Sequence, residues 1–343
     1  MTDTTTAAAP RALDLLVLGG TSWLGGAVAR DALARGHRVT CLARGEAGTP
    51  PDGVTWVRAD RREPGAYDDV AGRDWDAVLD VSWQPEQVRS ALAALATRAR
   101  HWLYVSSCSV YSDDTTPDTD ESAPIHPPFD GTGPADIETY GPAKVACEQS
   151  CVEAMGADRV LLARAGLIGG YGDRSDRFGY WAGRAGRAGR GDAVLAPPLD
   201  APTQTIDVDD LSAWLVLAAE AGTGGVFNAV GEQVTVGDVL TAAGAAAGTD
   251  PRYREASDEW LAEREVAPWS GPESLPLWLP QREYAGFMTR SNAAARAAGL
   301  SLRPVSETVA AALSWERERG LDRERRAGLT PAREAALLAE LDG

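Results

Sequence analysis

The sequence predicts an α/β protein with a doubly wound parallel sheet and a second, smaller lobe. From residue 13 to residue 164, short apolar segments alternate with segments of helical periodicity, which is typical of parallel strands joined by helices. The first apolar segment runs directly into a glycine pair, as a buried strand before a tight turn would. The length of 343 residues exceeds what one hydrophobic core usually supports, which indicates the second lobe.

The individual elements are predicted from length and periodicity. Apolar runs such as LDLLVL at 13–18 suit buried strands, whereas longer segments with apolar residues three and four apart suit helices. Strands are predicted at 13–18, 37–43, 54–59, 75–81, 101–106, 159–164, 203–208 and 226–230. Helices are predicted at 23–35, 85–100, 139–155, 209–221, 291–298, 306–319 and 331–341. Residues 112–135 are rich in Asp, Thr, Pro and Gly, which predicts a long loop.

The composition argues against several classes of protein. Apolar residues make up 44% and charged residues 24%, as in an ordinary globular domain. The 33 basic and 50 acidic residues give a net charge of −17, which argues against nucleic-acid binding because phosphate neutralisation needs a basic surface. No run of 18 apolar residues is present, so no membrane span is predicted. Four scattered cysteines predict neither a disulfide framework nor a metal site.

The N-terminal segment, residues 1–11, is rich in Thr and Ala. It lacks both the basic start and the apolar centre of a signal peptide. We therefore expect a short disordered leader on a cytoplasmic protein.

A glycine-rich turn, GGTSWLGG at 19–26, follows the first strand and opens the first helix. Glycine lets the chain reverse and lets the helix pack close to the strand, while N–H groups at the helix start can meet a pyrophosphate. Serine stands where the dinucleotide fingerprint often has its middle glycine, and a purely structural turn is the alternative. We predict a Rossmann-type cofactor site with contacts from Gly19, Thr21, Ser22, Trp23, Leu24 and Gly25.

The residues that follow the second and third strands indicate which dinucleotide is bound. An acidic residue about 20 positions after the turn would bind the ribose 2′-hydroxyl of NAD, whereas an arginine accommodates the 2′-phosphate of NADP. The second strand ends in neutral residues and Arg44 follows, so we predict NADP over NAD, with a solvated surface charge as the alternative. Asp60, with Arg61 beside it, ends the third strand and is predicted to contact adenine, or else to cap a helix. Val81, Tyr140 and Lys144 complete the predicted cofactor contacts.

Tyr140 and Lys144 lie four residues apart on a predicted helix and so share one face. Lys144 is the only lysine, because the other 32 basic residues are arginine. Tyrosine, with a pKa of about 10, exchanges protons poorly at neutral pH, and a nearby ammonium favours the phenolate. A compact ammonium with three rotatable donors explains why lysine stands here, although chance is the alternative. Ser107 follows a strand, where its hydroxyl could reach the same substrate carbonyl.

With these motifs, the chain resembles the extended short-chain dehydrogenase/reductases, also called the NAD-dependent epimerase/dehydratase family, most strongly over residues 13–230. The resemblance implies that Tyr140 exchanges a proton with the substrate oxygen and that Ser107 polarises the carbonyl. It implies that Lys144 also holds the nicotinamide ribose. It further implies a homodimer through the helices at 86–100 and 140–155.

Two departures from the family pattern narrow the predicted reaction. Sugar-nucleotide dehydratases carry an acidic pair just after the active serine or threonine, where this chain has Cys108 and Ser109. Epimerases usually have asparagine three residues after the arginine that ends the next strand, where Leu167 follows Arg164 here. We therefore predict an NAD(P)(H)-dependent reductase or dehydrogenase acting on a carbonyl or alcohol carbon of a small, fairly apolar organic substrate. An NAD(P)-dependent epimerase, including the nucleotide-sugar type, and an RNA-binding relative of the family are the alternatives.

Two domains are predicted after the leader, and each is built from two segments of the chain. Residues 12–165 and 205–230 would form the dinucleotide-binding domain, and residues 166–204 and 231–343 the substrate lobe. The tryptophan-rich stretch at 260–288 would cover an apolar pocket, with ordinary core as the alternative. The tract GRAGRAGRG at 183–191 resembles an RNA-binding arginine–glycine tract, but its position favours the end of a helix.

Overall fold

The computed structural model describes residues 11–131 and 133–342, so the predicted leader lies outside it except for Arg11. The elements up to residue 165 are β1 (Asp14–Leu18), α1 (Trp23–Ala34), β2 (Arg38–Leu42), β3 (Thr55–Val57), α2 (Asp68–Ala71), β4 (Trp75–Asp80), α3 (Pro85–Leu95), β5 (Ala99–Ser107), α4 (Tyr140–Met155) and β6 (Val160–Ala165). Short 3-10 helices at Cys108–Val110 and Ala157–Arg159 precede α4 and β6.

The later elements are shorter and more varied. They are β7 (Leu167–Gly169), α5 (Phe178–Arg187), β8 (Ala193–Ala196), β9 (Pro202–Asp207), α6 (Val208–Ala221), β10 (Gly225–Ala229), β11 (Gln233–Thr235), α7 (Val236–Ala247), β12 (Arg252–Glu255), α8 (Asp258–Glu263), β13 (Ala267–Trp269), β14 (Ser274–Pro276), α9 (Gln281–Tyr284), α10 (Ala293–Ala297), α11 (Val305–Arg319) and α12 (Pro331–Asp342). No helix among the described residues is long and apolar enough to cross a membrane.

Seven strands form one parallel sheet in the order β10-β6-β5-β4-β1-β2-β3. The predicted doubly wound parallel sheet is therefore confirmed. The strand order reverses between β1 and β4, and ligands of such sheets bind in the crevice outside the carboxyl ends at this point. The glycine turn and the residues after β4 both begin at this crevice.

Alternation along β1 explains why both faces of the sheet are covered. Leu15 and Val17 pack with α1 and α6 on one face, whereas Leu16 and Leu18 pack with α3 and α4 on the other. Successive side chains of a strand point to opposite faces, so a fully apolar strand needs helices on both sides.

A further hydrophobic cluster lies apart from the sheet, and all its members fall within 167–201 and 236–337. Trp278 is buried in it, and Trp260 and Trp269 pack against it, as the ordinary-core alternative for the tryptophan-rich stretch predicts. The predicted strand at 203–208 forms as β9, but it pairs with β7 and β11 and not with the seven-stranded sheet. The division of the chain into two domains stays a prediction.

The arginine–glycine tract at 183–191 forms the end of α5 and the turn after it. The Arg184 side chain is only 12% exposed, and its Nε donates to Glu334 Oε2 at 2.7 Å. Arg187 is also partly buried. Arg184 therefore ties α5 to α12, which favours the helix-end interpretation over RNA binding.

Candidate active site

The glycine turn is set by the backbone of residues 19–25. Gly19 has a φ of +96°, and a Cβ there would lie 2.7 Å from Val81 Cγ2. Both the backbone conformation and the lack of space therefore favour glycine at this position. The Ser22 N–H donates to Gly19 O at 2.9 Å. Ser22 Oγ then caps α1 by accepting the Gly25 N–H at 3.2 Å. The turn therefore aims the start of α1 at the crevice between β1 and β4.

The first turn of α1 leaves backbone donors for a ligand. The first four N–H groups of a helix have no intrahelical partner. Gly25 N is bound by Ser22 Oγ, but the N–H groups of Trp23 and Leu24 donate to no other atom of residues 11–131 and 133–342. No acidic side chain lies in this turn. Free N–H donors at the positive end of a helix fit a pyrophosphate, so the donor set matches a dinucleotide cofactor.

A matched pair of glycine variants tests this turn. A Cβ at Gly25 would lie 2.4 Å from the backbone oxygen of Gly19, whereas a Cβ at Gly26 would meet nothing closer than 3.6 Å. We expect Gly25→Ala to lower the free energy of unfolding by about 1–3 kcal/mol and to weaken dinucleotide binding. Gly26→Ala should raise stability by up to about 1 kcal/mol, because alanine is the better helix former.

Urea unfolding and a fluorescence titration with NADPH would measure both effects. Equal behaviour of the two variants would show that close packing at Gly25 does not shape the site.

A cavity of about 540 Å³ lies along the crevice next to this turn. It collects most of the predicted cofactor residues in one place: Gly19, Thr21, Ser22, Arg44, Asp60, Arg61 and Val81. Its walls also include Trp83. Residues from four separate strand ends therefore meet here, as the switch point of the sheet requires.

Arg44 and Arg61 occupy the cavity in different ways. Arg44 is 41% exposed and lies 2.9 Å from Glu46 Oε2 and 3.7 Å from Asp60 Oδ2. Arg61 is buried, and its two terminal nitrogens each donate to Asp80 at 2.7 Å. Burial lowers the pKa of Arg61, but the charge and hydrogen bonds of Asp80 outweigh it, so the guanidinium is firmly charged. Arg61 thus fixes the end of β4, whereas Arg44 can turn towards a ligand.

The carboxylate of Asp60 is held by a neighbour on its own segment. Arg62 donates to both of its oxygens, and these hydrogen bonds lower the pKa of Asp60 to about 2. The group is therefore an acceptor at neutral pH, which is what an exocyclic amine requires.

A second cavity, of about 510 Å³, holds the three predicted catalytic residues Ser107, Tyr140 and Lys144. Ser22 and Val81 line both cavities, and Trp23 and Leu24 line the second. The start of α1 therefore lies between the first cavity and the phenol, hydroxyl and ammonium.

Each of these three side chains is positioned by a different feature. Ser107 ends β5, and its Oγ accepts the Ser109 N–H at 3.1 Å. Tyr140 is the first residue of α4, and its ring packs on Trp83 with the centroids 5.4 Å apart. Lys144 lies one turn further along α4 and is buried. A strand end and a helix start are rigid supports for such groups.

The ammonium of Lys144 points at the backbone. Its Nζ donates to Val105 O at 2.6 Å and to Ser82 O at 3.2 Å, and it lies 4.8 Å from the ring centroid of Tyr104. Burial lowers the pKa of Lys144 to about 8. The distance from Nζ to the ring centroid of Tyr140 is 6.0 Å.

The predicted effect of Lys144 on the phenol differs from what the structure shows. Burial raises the pKa of Tyr140 above its ordinary value, opposed by a hydrogen bond with Ser107 and by the charge of Arg177. The physical reason is that the ammonium is directed at two carbonyls while the phenol is largely desolvated. In this state Lys144 does not bring Tyr140 closer to neutral pH.

The opposite wall of the second cavity is charged, which the sequence analysis missed. It is formed by the loop after β7 and by one residue from the segment after α11: Asp173, Arg174, Ser175, Arg177 and Arg326. The dense charged run DRSDR at 173–177, soon after a strand, was the available signal. Leu167 itself is buried, and its neighbours Gly166 and Ile168 line the cavity.

The predicted aromatic cover over this cavity is wrong. Within the described chain, no residue of 260–288 lines it. These aromatics pack into or against the further hydrophobic cluster. Trp269 does not line the cavity, but its ring centroid lies 5.1 Å from the guanidinium of Arg177, which does. The wall opposite Ser107 and Tyr140 is therefore charged and not aromatic.

Comparison with known proteins agrees with this geometry. Residues 15–230 match the NAD dependent epimerase/dehydratase family. The chain is 29% identical over 160 residues to 2′-dehydrokanamycin reductase of Streptomyces kanamyceticus, a match that covers 46% of this chain and 43% of that protein. The chain thus spans less than half the length of this curated relative.

Solved structures show the same fold. UDP-N-acetylglucosamine 4-epimerase from Bacillus cereus has a TM-score of 0.64 at 17% identity, over 91% of this chain and 99% of its own. The Bordetella bronchiseptica enzyme WbmH, in complex with NAD+, has a TM-score of 0.61 at 17% identity, and the match covers 90% of this chain and 100% of WbmH.

The resemblance predicted from the glycine turn and the Tyr140–Lys144 pair is confirmed by the family match, which spans both. The chain accordingly takes a nicotinamide dinucleotide as its cofactor. It belongs to the NAD dependent epimerase/dehydratase family.

Proposed function

We propose that the chain is a reductase or dehydrogenase that uses NADP(H) on a carbonyl or alcohol carbon of a small polar molecule. The observation that carries the proposal is the shared cavity of Ser107, Tyr140 and Lys144 beside the helix start of α1. A proton donor, a carbonyl-orienting hydroxyl and a cofactor-binding turn are the parts that this reaction needs. The name of the reductase relative supports the same direction.

The chain's own residues would carry the proton. The bound nicotinamide ring supplies or accepts the hydride. In the direction of reduction, Tyr140 Oη gives its proton to the substrate oxygen, and Ser107 Oγ–H holds that oxygen by a hydrogen bond. Lys144, directed at the carbonyls of Val105 and Ser82, stands next to the phenol and would hold the ribose of the cofactor. In the reverse direction the phenolate takes the proton of the alcohol.

The charged wall changes the expected substrate from apolar to polar. Asp173, Arg177 and Arg326 face the cavity that holds Tyr140. An apolar molecule would leave these groups desolvated without partners, which costs free energy. A substrate screen with NADPH, comparing polar carbonyl compounds with hydrocarbon-like ones, tests this. Faster turnover of the hydrocarbon-like compounds would contradict it.

A second candidate function is an epimerase that keeps its cofactor. Trp23 Nε1 donates to Tyr171 O at 2.8 Å, and Arg174 donates to Ala47 O at 3.3 Å, so the segment at 171–174 is tied to the edge of the cofactor crevice. Such ties favour slow cofactor release. Purified protein that carries a dinucleotide and turns over no added cofactor would support the epimerase over the reductase.

The choice of NADP is tested at Arg44. Arg44→Gln removes the arginine that is predicted to bind the 2′-phosphate of NADP. We therefore expect the Kd for NADPH to rise about tenfold, while the Kd for NADH changes little. Fluorescence titration measures both constants. Arg98→Gln, an exposed arginine paired with Asp74 elsewhere, is the matched control. Tighter binding of NADH than of NADPH in the unaltered protein would contradict the proposal.

A homodimer through α3 and α4 and a cytoplasmic location stay predictions.

A further inference from the structure

One arginine of the active-site cavity, Arg177, is partly buried, whereas Arg174 and Arg326 are exposed. Arg177 lines the same cavity as Ser107 and Tyr140. Among the described residues, no carboxylate oxygen lies within 4.0 Å of its guanidinium, and its Nε donates to Ser175 Oγ at 3.4 Å. The guanidinium is partly buried and held against the Trp269 ring. A desolvated cation acts over a longer distance than an exposed one, because water screens it less.

The lysine of the site does not fill this role. Lys144 Nζ is committed to the carbonyl oxygens of Val105 and Ser82. The charge that opposes burial of the Tyr140 phenol is that of Arg177. Burial lowers the pKa of Arg177 itself, an effect that the charge of Asp173 opposes without cancelling it. The cavity therefore holds one buried cation that is bound to the backbone, Lys144, and one partly buried cation, Arg177, besides the exposed Arg174 and Arg326.

The other ionisable groups around Tyr140 act more weakly or in the opposite sense. Arg174 and Arg326 are exposed, so solvent screens them, and Arg174 is bound to Ala47 O. Asp173 is buried, and its pKa is raised by burial, which disfavours its charge. The thiols of Cys108 and Cys147 raise the pKa of Tyr140, but burial keeps both thiols protonated, with pKa values of about 12 and 11.

We propose that Arg177 is a positioning cation for the reaction, which stabilises the negative charge on Tyr140 Oη after the phenol has given its proton to the substrate oxygen. The proposal rests on the proposed function for its catalytic meaning. In the protein without substrate, the phenolate of Tyr140 is then more stable with Arg177 than without it. The same cation would favour the phenolate that accepts a proton in the direction of oxidation.

Ultraviolet difference spectroscopy of the full-length protein tests the pairing without substrate. Subtracting the titration of Tyr140→Phe from that of the unaltered protein isolates the phenolate absorbance of Tyr140. In Arg177→Gln we expect the midpoint of this titration to rise by about one pH unit, a tenfold change in acidity, because an opposite charge nearby lowers such a pKa by about that much. Arg177→Lys keeps the charge and should restore most of the shift.

Arg282→Gln, a change on α9 outside the cavity, should leave the midpoint unchanged. Circular dichroism confirms that each variant is folded, and the lysine variant keeps the test valid if the glutamine variant is not. An unchanged midpoint in Arg177→Gln would overturn the proposal, and an unchanged midpoint with a raised KM would assign Arg177 to the substrate instead. Failure of the proposed function would show itself separately, as full activity of Tyr140→Phe.

Discussion

Tyr140→Phe is expected to lower kcat about 10³-fold, because general acid catalysis by a positioned side chain contributes on the order of 10²–10⁴ in rate. The change removes one oxygen atom and leaves the ring on Trp83, so packing with its 5.4 Å centroid distance is retained. The dinucleotide should bind with unchanged affinity, since the N–H donors of α1 are untouched. The measurement is single-turnover reduction with NADPH, alongside a fluorescence titration.

Tyr284→Phe is the matched control for this variant. Tyr284 lies on α9 and packs against Phe287 with centroids 6.5 Å apart, and it does not line the cavity. It should retain full activity. Full activity in Tyr140→Phe as well would remove the proton donor from the mechanism.

The pH dependence of reduction is expected to report Lys144. Burial lowers the pKa of Lys144 to about 8, so above that pH the ammonium loses its proton and its charge. If the charge is needed, log kcat/KM falls by about one for each further pH unit. Tyr140 cannot cause this fall, because its raised pKa keeps it protonated through the same range.

Two substitutions at Lys144 separate charge from shape. Lys144→Met should lower kcat/KM by about 10²–10³ at neutral pH, the usual effect of losing an electrostatic partner in an active site. It also leaves the carbonyls of Val105 and Ser82 without this donor. Lys144→Arg stays charged, so its activity should be lower but should not fall above pH 8. A fall near pH 8 in Lys144→Arg would mean that another group titrates.

Much of the site was predictable because its parts are local in sequence. Glycines between a strand and a helix indicate the turn at 19–26, and Tyr140 and Lys144 are separated by one helical turn. The sheet was predictable for a similar reason, since fully apolar strands need cover on both faces. These features depend on contacts over a few residues.

The polar wall of the second cavity was not predictable in this way. Arg177 and Arg326 are far apart in the chain, and they meet because Asp176 accepts the Arg326 N–H at 2.9 Å and pairs with Arg319 and Arg323. Nothing in either local segment indicates that contact. The tryptophans at 260–288 led to the wrong prediction of an aromatic cover, because an apolar side chain fits a core and a pocket equally well.

The amino-acid sequence determined the sheet, the glycine turn, and the Ser107, Tyr140 and Lys144 motifs, because these follow from periodicity and short-range spacing. Only the tertiary structure decided the direction of the Lys144 ammonium, the partners of Arg61 and the charges facing Tyr140. Those depend on which distant segments come to share one desolvated volume. Burial and charge depend on the distance between groups in space, and the order of residues along the chain does not give that distance.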